Sequence, residues 1–164
     1  MIEIFILLAV LNIIICSRMF PGICRVDFKG VLKFVGIMAL VSVARLIIFK
    51  FLPVPMPTGS DVVMNLNPLQ LLMVFWEDAF FTLPALALAR LGASKFDVGA
   101  VLAISAVAFA SGHMAYGLVW ALITLLYVPF ISYKYGKTHG LGTVMICHIL
   151  YDLITFFTLK LLLG

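Results

Sequence analysis

The stretch "VMICHILYDLITFF", Val144 to Phe157, decides the class of this fold. Apart from one histidine, one aspartate and one threonine, every residue in it is apolar. A surface helix of a soluble protein keeps a broad charged face opposite its apolar stripe. Here such a face is missing, and His148 and Asp152 sit in a run greasy enough to lie in lipid. The whole chain repeats the pattern: 164 residues, 65% hydrophobic, 11% charged, mean hydropathy +1.23. This composition predicts an all-α fold, a polytopic transmembrane bundle of about six helices forming one domain over residues 1–164.

Working outward, six apolar segments can be drawn, at 2–19, 30–52, 67–91, 98–115, 117–135 and 140–163. Each is near the roughly 20 residues that a bilayer core requires. Asn67-Pro68 and Asp97 read as helix starts, the former with proline at the first helical position. Gly112 and Gly117 bracket a break between segments four and five. Ile2–Cys16 follows no basic stretch and precedes no small-residue cleavage site, so it reads as a retained helix. Three cysteines without a CxxC pair argue against a disulfide framework. Basic residues are scattered over short loops, which excludes a nucleic-acid surface. They are also one-sided. Arg18, Arg25, Lys29, Lys33, Arg90, Lys95, Lys134 and Lys137 fall on one side, and Lys50 and Lys160 on the other. Positive loops stay cytoplasmic, so both termini are expected outside, in a bacterial plasma membrane. The Pro-rich loop 53–67 then lies outside as well, where it can cover the mouth of a site.

Arg45, Glu77, Asp78, His113, His148 and Asp152 fall inside the apolar runs. An acid at the centre of a membrane helix costs roughly 2.5–3.5 kcal/mol on insertion scales. Three acids cost on the order of 10 kcal/mol, comparable with the stability of a whole domain. Such groups must be paired, neutralised or wetted. Taken singly, each has a structural reading: His148–Asp152 as polar glue between helices, Glu77-Asp78 as counterion for Arg45, His113 as an interfacial residue. Their combination on three helices favours a site. Residues four apart share a helix face, so His148 points with Asp152 and Phe109 with His113. Adjacent residues diverge by about 100°, so Glu77 and Asp78 cannot both face one centre. Pro84 removes a hydrogen bond to the carbonyl of Phe80 and opens space about one turn from Glu77. Aromatic side chains are assigned to the core and the lipid face.

"EDAFFT" (Glu77–Thr82), "FASGH" (Phe109–His113) and "HILYD" (His148–Asp152) resemble the three motifs of the CAAX-processing and bacteriocin-processing (CPBP, or Abi) intramembrane proteases. Those motifs read EExxxR, FxxxH and HxxxN or HxxxD. The second and third match in full. In the first, Asp78 replaces the second Glu and Thr82 replaces the Arg. Thr82 lies four after Asp78, on the acid's own face, so the acid has lost its helix-internal partner. Arg45 is a substitute at a similar depth in the outer half of the membrane, and an Arg45–Asp78 pair is expected.

The resemblance implies an intramembrane endopeptidase. Glu77 and His113 would activate a water, and His148 and Asp152 would face the oxyanion, with Asp78, Arg45 and Phe109 in support. An ionised Asp152 would repel an oxyanion. Either it is protonated, or it accepts from His148 and leaves the other ring nitrogen to donate; the second is preferred. The expected partners are a membrane peptide or protein substrate and the lipid bilayer; no nucleic acid is expected and no oligomeric state is specified. No cofactor is expected. Zinc ranks below a metal-free glutamate mechanism because no local H-E-x-x-H pair is present. The alternative is a non-catalytic membrane binding or immunity protein that retains the protease fold. A porter or channel ranks lower, since the polar residues form no stripe across the membrane.

Overall fold

A computed structural model describes residues 2–51 and 68–163. The predicted outer loop at 53–67 lies outside the described residues. The described residues are all-helical, without a strand, and their helices group into six segments, one for each expected pass. The first two are α1 (Ile2–Met19) and α2 (Phe28–Phe51). The third is split into α3 (Pro68–Phe81) and α4 (Leu83–Arg90). The fourth is α5 (Lys95–Gly112). The fifth runs through α6 (Leu118–Leu125), a π-helix (Tyr127–Tyr133) and α7 (Lys134–His139). The sixth is α8 (Leu141–Leu163). At 1.5 Å per residue, α2 and α8 are about 36 and 34 Å long, enough for a hydrocarbon core of about 30 Å, and α1, at about 27 Å, is slightly shorter than that core. By length and apolarity together, Lys95–Gly112 is the candidate span among the described residues, and Ile6–Met19 and Leu141–Ile154 are shorter apolar stretches.

Local chemistry explains the breaks. Pro84 has no N–H to give the Phe80 carbonyl, and the third pass is interrupted at Thr82, between α3 and α4. Gly117, at φ +102°, supplies the left-handed residue that separates the fourth and fifth passes. α5 begins earlier than Asp97 suggested. Ser94 is its N-cap, accepting from the Asp97 N–H at 3.1 Å and donating to the Asp97 carboxylate at 2.6 Å. In the fifth pass Pro129 cannot continue the α-helical ladder, and the turn widens to a π-helix there.

Large apolar side chains cover the outside of the bundle, and a few polar ones are enclosed within its apolar core. Leu32, Leu40 and Ile104 are 73%, 73% and 71% exposed. Thr82, Ser132 and Thr143 are wholly buried, as is Asp78. In water so many exposed large apolar side chains would aggregate; in lipid they are solvated. α2 packs along α8, α1 along α3, and α3 against α8. One core cluster joins Ala9, Ala79, Leu83, Leu86, Val144 and Met145, and a second joins Ala106, Phe109 and Val128.

At one end the α1–α2 connection is stitched to the α7–α8 junction. The Leu141 N–H donates to the Ile23 carbonyl at 2.8 Å, and the Asp27 N–H to the Thr143 hydroxyl at 2.7 Å. The Asp27 carboxylate caps α2, accepting from the Lys29 and Gly30 N–H groups at 3.0 and 3.2 Å, and takes a third bond from His139 Nδ1 at 2.7 Å. These bonds, that from His139 foremost, hold its carboxyl below the usual carboxylate range. Arg25, Lys29, Lys137 and His139 all belong to this end.

Candidate active site

α3 carries Glu77 and Asp78 side by side, and the 100° between neighbours gives them different surroundings. Asp78 is 1% exposed and faces the bundle interior. Its Oδ1 accepts from the Ser132 hydroxyl at 2.8 Å and the Tyr127 hydroxyl at 3.1 Å. Its Oδ2 meets His148 Nδ1 at 3.1 Å, so α3 and α8 are joined through the site. Ser132 in turn is 2.6 Å from the Thr82 hydroxyl. Glu77 is half-buried, and among the described residues its carboxylate accepts no hydrogen bond. It lies within electrostatic reach of His148, Asp152 and Asp78.

His113 closes α5 as its C-cap residue. Its Nδ1 is 2.9 Å from the Phe109 carbonyl, four residues back. A carbonyl only accepts, so Nδ1 carries the hydrogen, and in the neutral ring Nε2 holds the lone pair. The ring sits 4.5 Å from that of Phe109, which stacks on Tyr127 at 5.5 Å; Tyr127 lies 4.7 Å from the His148 ring. Asp152 is within electrostatic reach of both His113 and His148. Among the described residues no hydrogen bond joins Glu77 to His113. Nor is any group of three or more His, Cys, Asp or Glu side chains among them arranged to hold a metal ion.

One expectation changes, and another falls outside the described residues. His148 and Asp152 do share a face, but Nε2 stands 4.0 Å from the Asp152 carboxylate, beyond hydrogen-bonding distance. The acid that holds His148 is Asp78, from another helix and seventy residues away in the chain. The Arg45 side chain lies outside the described residues, and the partners described for Asp78 are hydroxyls and a histidine.

Tyr127, Ser132 and the contact made by Thr82 were not among the residues expected at the site. Five residues apart in an α-helix, Tyr127 and Ser132 would be rotated by about 140° from each other. A π-helix closes its bonds at i→i+5, which brings such residues toward one face, and both donate to the same oxygen. Pro129 between them was the signal in the sequence that α-helical spacing fails there.

Chemically, the pair at the centre is one carboxylate and one imidazole out of reach of bulk water. A net-neutral pair is much cheaper in hydrocarbon than one with a net charge. In that state one proton lies between Oδ2 and Nδ1 and another sits on Nε2. The Nε2–H then points away from Asp78, on the side of Asp152.

No curated protein and no solved structure matches the chain. Residues 59–154 match the family described as type II CAAX prenyl endopeptidase Rce1-like. The match covers more than half of the 164 residues and contains Glu77, His113, His148 and Asp152. With these residues on converging helices and the match running through all three motifs, the chain belongs to the Rce1-like family of type II CAAX prenyl endopeptidases, which are integral membrane proteins.

Proposed function

We propose that this single-domain protein is an intramembrane endopeptidase that hydrolyses a peptide bond of a membrane-associated peptide or protein by a metal-independent, glutamate-type mechanism. The observation that carries this reading is the gathering of Glu77, His148 and Asp152 within mutual electrostatic reach, with His113 in reach of Asp152. Glu77 is the one acid of α3 whose carboxylate is left open to a water. It takes a proton as the water oxygen attacks the scissile carbonyl, a role suited to a carboxylate in a low-dielectric site. His113 Nε2 is the second acceptor on that water. The tetrahedral oxyanion meets the Nε2–H of His148, and Asp152 serves beside it as the carboxylic acid, the form that donates. Collapse breaks the C–N bond, and the proton taken from water passes through Glu77 and His113 to the departing amine. Both termini face outward, and the basic end faces the cytoplasm.

The test is cleavage of a labelled membrane-peptide library, prenylated CAAX peptides included, by purified protein in nanodiscs. Wild type should cleave, Glu77→Ala should lose at least a hundredfold in kcat, and a chelator should leave the rate unchanged. Inhibition by chelator with rescue by zinc would overturn the metal-independent step. The replacement of the motif arginine by Thr82 favours a second reading, a non-catalytic membrane binding or immunity protein. Full biological effect from Glu77→Ala would decide for it.

A further inference from the structure

From the hydroxyls around Asp78 we infer that Thr82, Ser132 and Tyr127 are positioning residues. They form a relay that keeps Asp78 ionised and so keeps His148 charged with both ring nitrogens protonated. The inference rests on the endopeptidase reading for its consequence in catalysis but not for its geometry. Hydrogen counting sets the direction of the relay. A hydroxyl has one proton to give. Ser132 spends its proton on Asp78 Oδ1 at 2.8 Å, so at the 2.6 Å contact the Thr82 hydroxyl must be the donor. Tyr127 adds a second donor to the same oxygen at 3.1 Å. Thr82 and Ser132 are wholly buried, so these hydroxyls have no bulk water to turn to.

Within the net-neutral Asp78–His148 pair the shared proton can rest on either partner. Two donors on Oδ1 favour the carboxylate, because hydrogen bonds to a charged acceptor are about twice as strong as neutral ones. The proton therefore rests on Nδ1, and the ring that faces Asp152 and the Glu77 side is an imidazolium. Its Nε2–H is a charge-assisted donor, stronger than that of a neutral ring. Thr82 stands where the motif has arginine, and the hydroxyl relay supplies by dipoles what a guanidinium would supply by charge. Unlike arginine, it leaves the positive charge of the neutral pair on the histidine.

The experiment is ¹⁵N spectroscopy of histidine-labelled protein in nanodiscs, with the His148 signals assigned against His148→Gln. The chain has three histidines, so the spectrum is small. Wild type should give N–H signals from both nitrogens of His148. Tyr127→Phe combined with Ser132→Ala should move the Nδ1 signal toward an unprotonated nitrogen, and Ser132→Thr should retain it. Cleavage by the double variant should fall by roughly tenfold in kcat at unchanged KM. A folded double variant with both N–H signals unchanged would overturn the inference. Should that variant misfold, Tyr127→Phe alone, which removes one oxygen, makes the same test in the same direction. The spectroscopic arm needs no substrate, so a chain that cleaves nothing would sink the endopeptidase reading and leave the relay standing.

Discussion

Among the described residues, two hydrogen-bonded aspartate–histidine pairs look alike on paper and differ in almost everything physical. Asp27–His139 is the shorter, at 2.7 Å, with side chains 36% and 22% exposed. Asp78–His148 is longer, at 3.1 Å, with side chains 1% and 8% exposed. Around the first pair, backbone N–H groups complete the carboxylate, and the pair ties the cap of α2 to the end of α7. Around the second, side-chain hydroxyls complete it, and one imidazole nitrogen is directed at a second acid, Asp152. The proposed mechanism makes the longer pair the reactive one, and distance alone would rank it second. Burial decides, because a partly wet ion pair is worth little while a dry one governs where every nearby proton sits.

Removing the two histidines breaks this comparison most sharply. His148→Ala should cost 10²–10³ in kcat, the scale of a lost oxyanion donor, measured by peptide cleavage. His139→Ala should stay within about threefold, as expected of a partly exposed structural residue. Equal losses would show that the two pairs do not divide into site and scaffold.

Next in size is the effect on the fold. Asp78→Asn leaves a buried histidine without its counterion and should destabilise the bundle by about 3–5 kcal/mol, read by denaturant titration in mild detergent. Gly140→Ala acts at the other pair's end. Gly140 has φ +93°, and a Cβ there would run into the Arg25 backbone. Its cost should be roughly 1–3 kcal/mol, with kcat unaffected in the folded fraction. A loss of kcat there would tie the basic end to catalysis.

The smallest effect is on pH. The folded-state value of Asp27 lies below its ordinary one of 3.8. Its contribution to stability is therefore complete above about pH 4 and fades as pH falls through the lowered folded value. Helicity followed from pH 6 to pH 2.5 should carry this acid-side slope in wild type and lose it in Asp27→Asn.

Much of the candidate site was legible in the apolar runs and their helical periodicity. Glu77, His113, His148 and Asp152 stand out because charge in an apolar run is costly, and a cost of that kind is visible residue by residue. The break after α3 was visible in Pro84, whose missing N–H acts on its own helix. Tyr127 and Ser132 were not visible. Their spacing of five means nothing in an α-helix and becomes a shared face only where the turn widens. The start of α5 was misplaced because Ser94 and Asp97 both suit a helix terminus, and only the cap geometry tells them apart.

Hydropathy and local spacing are properties of single segments, so the helical membrane class, the six apolar segments and the short list of acids and histidines could be read from the chain alone. Only the tertiary structure decided which acid meets which histidine. The near neighbour Asp152 stands 4.0 Å off, while Asp78, seventy residues distant, makes the bond. Side chains four apart on one helix are merely near each other. A hydrogen bond needs their atoms aligned, and in this bundle α3 packed on α8 supplies that alignment.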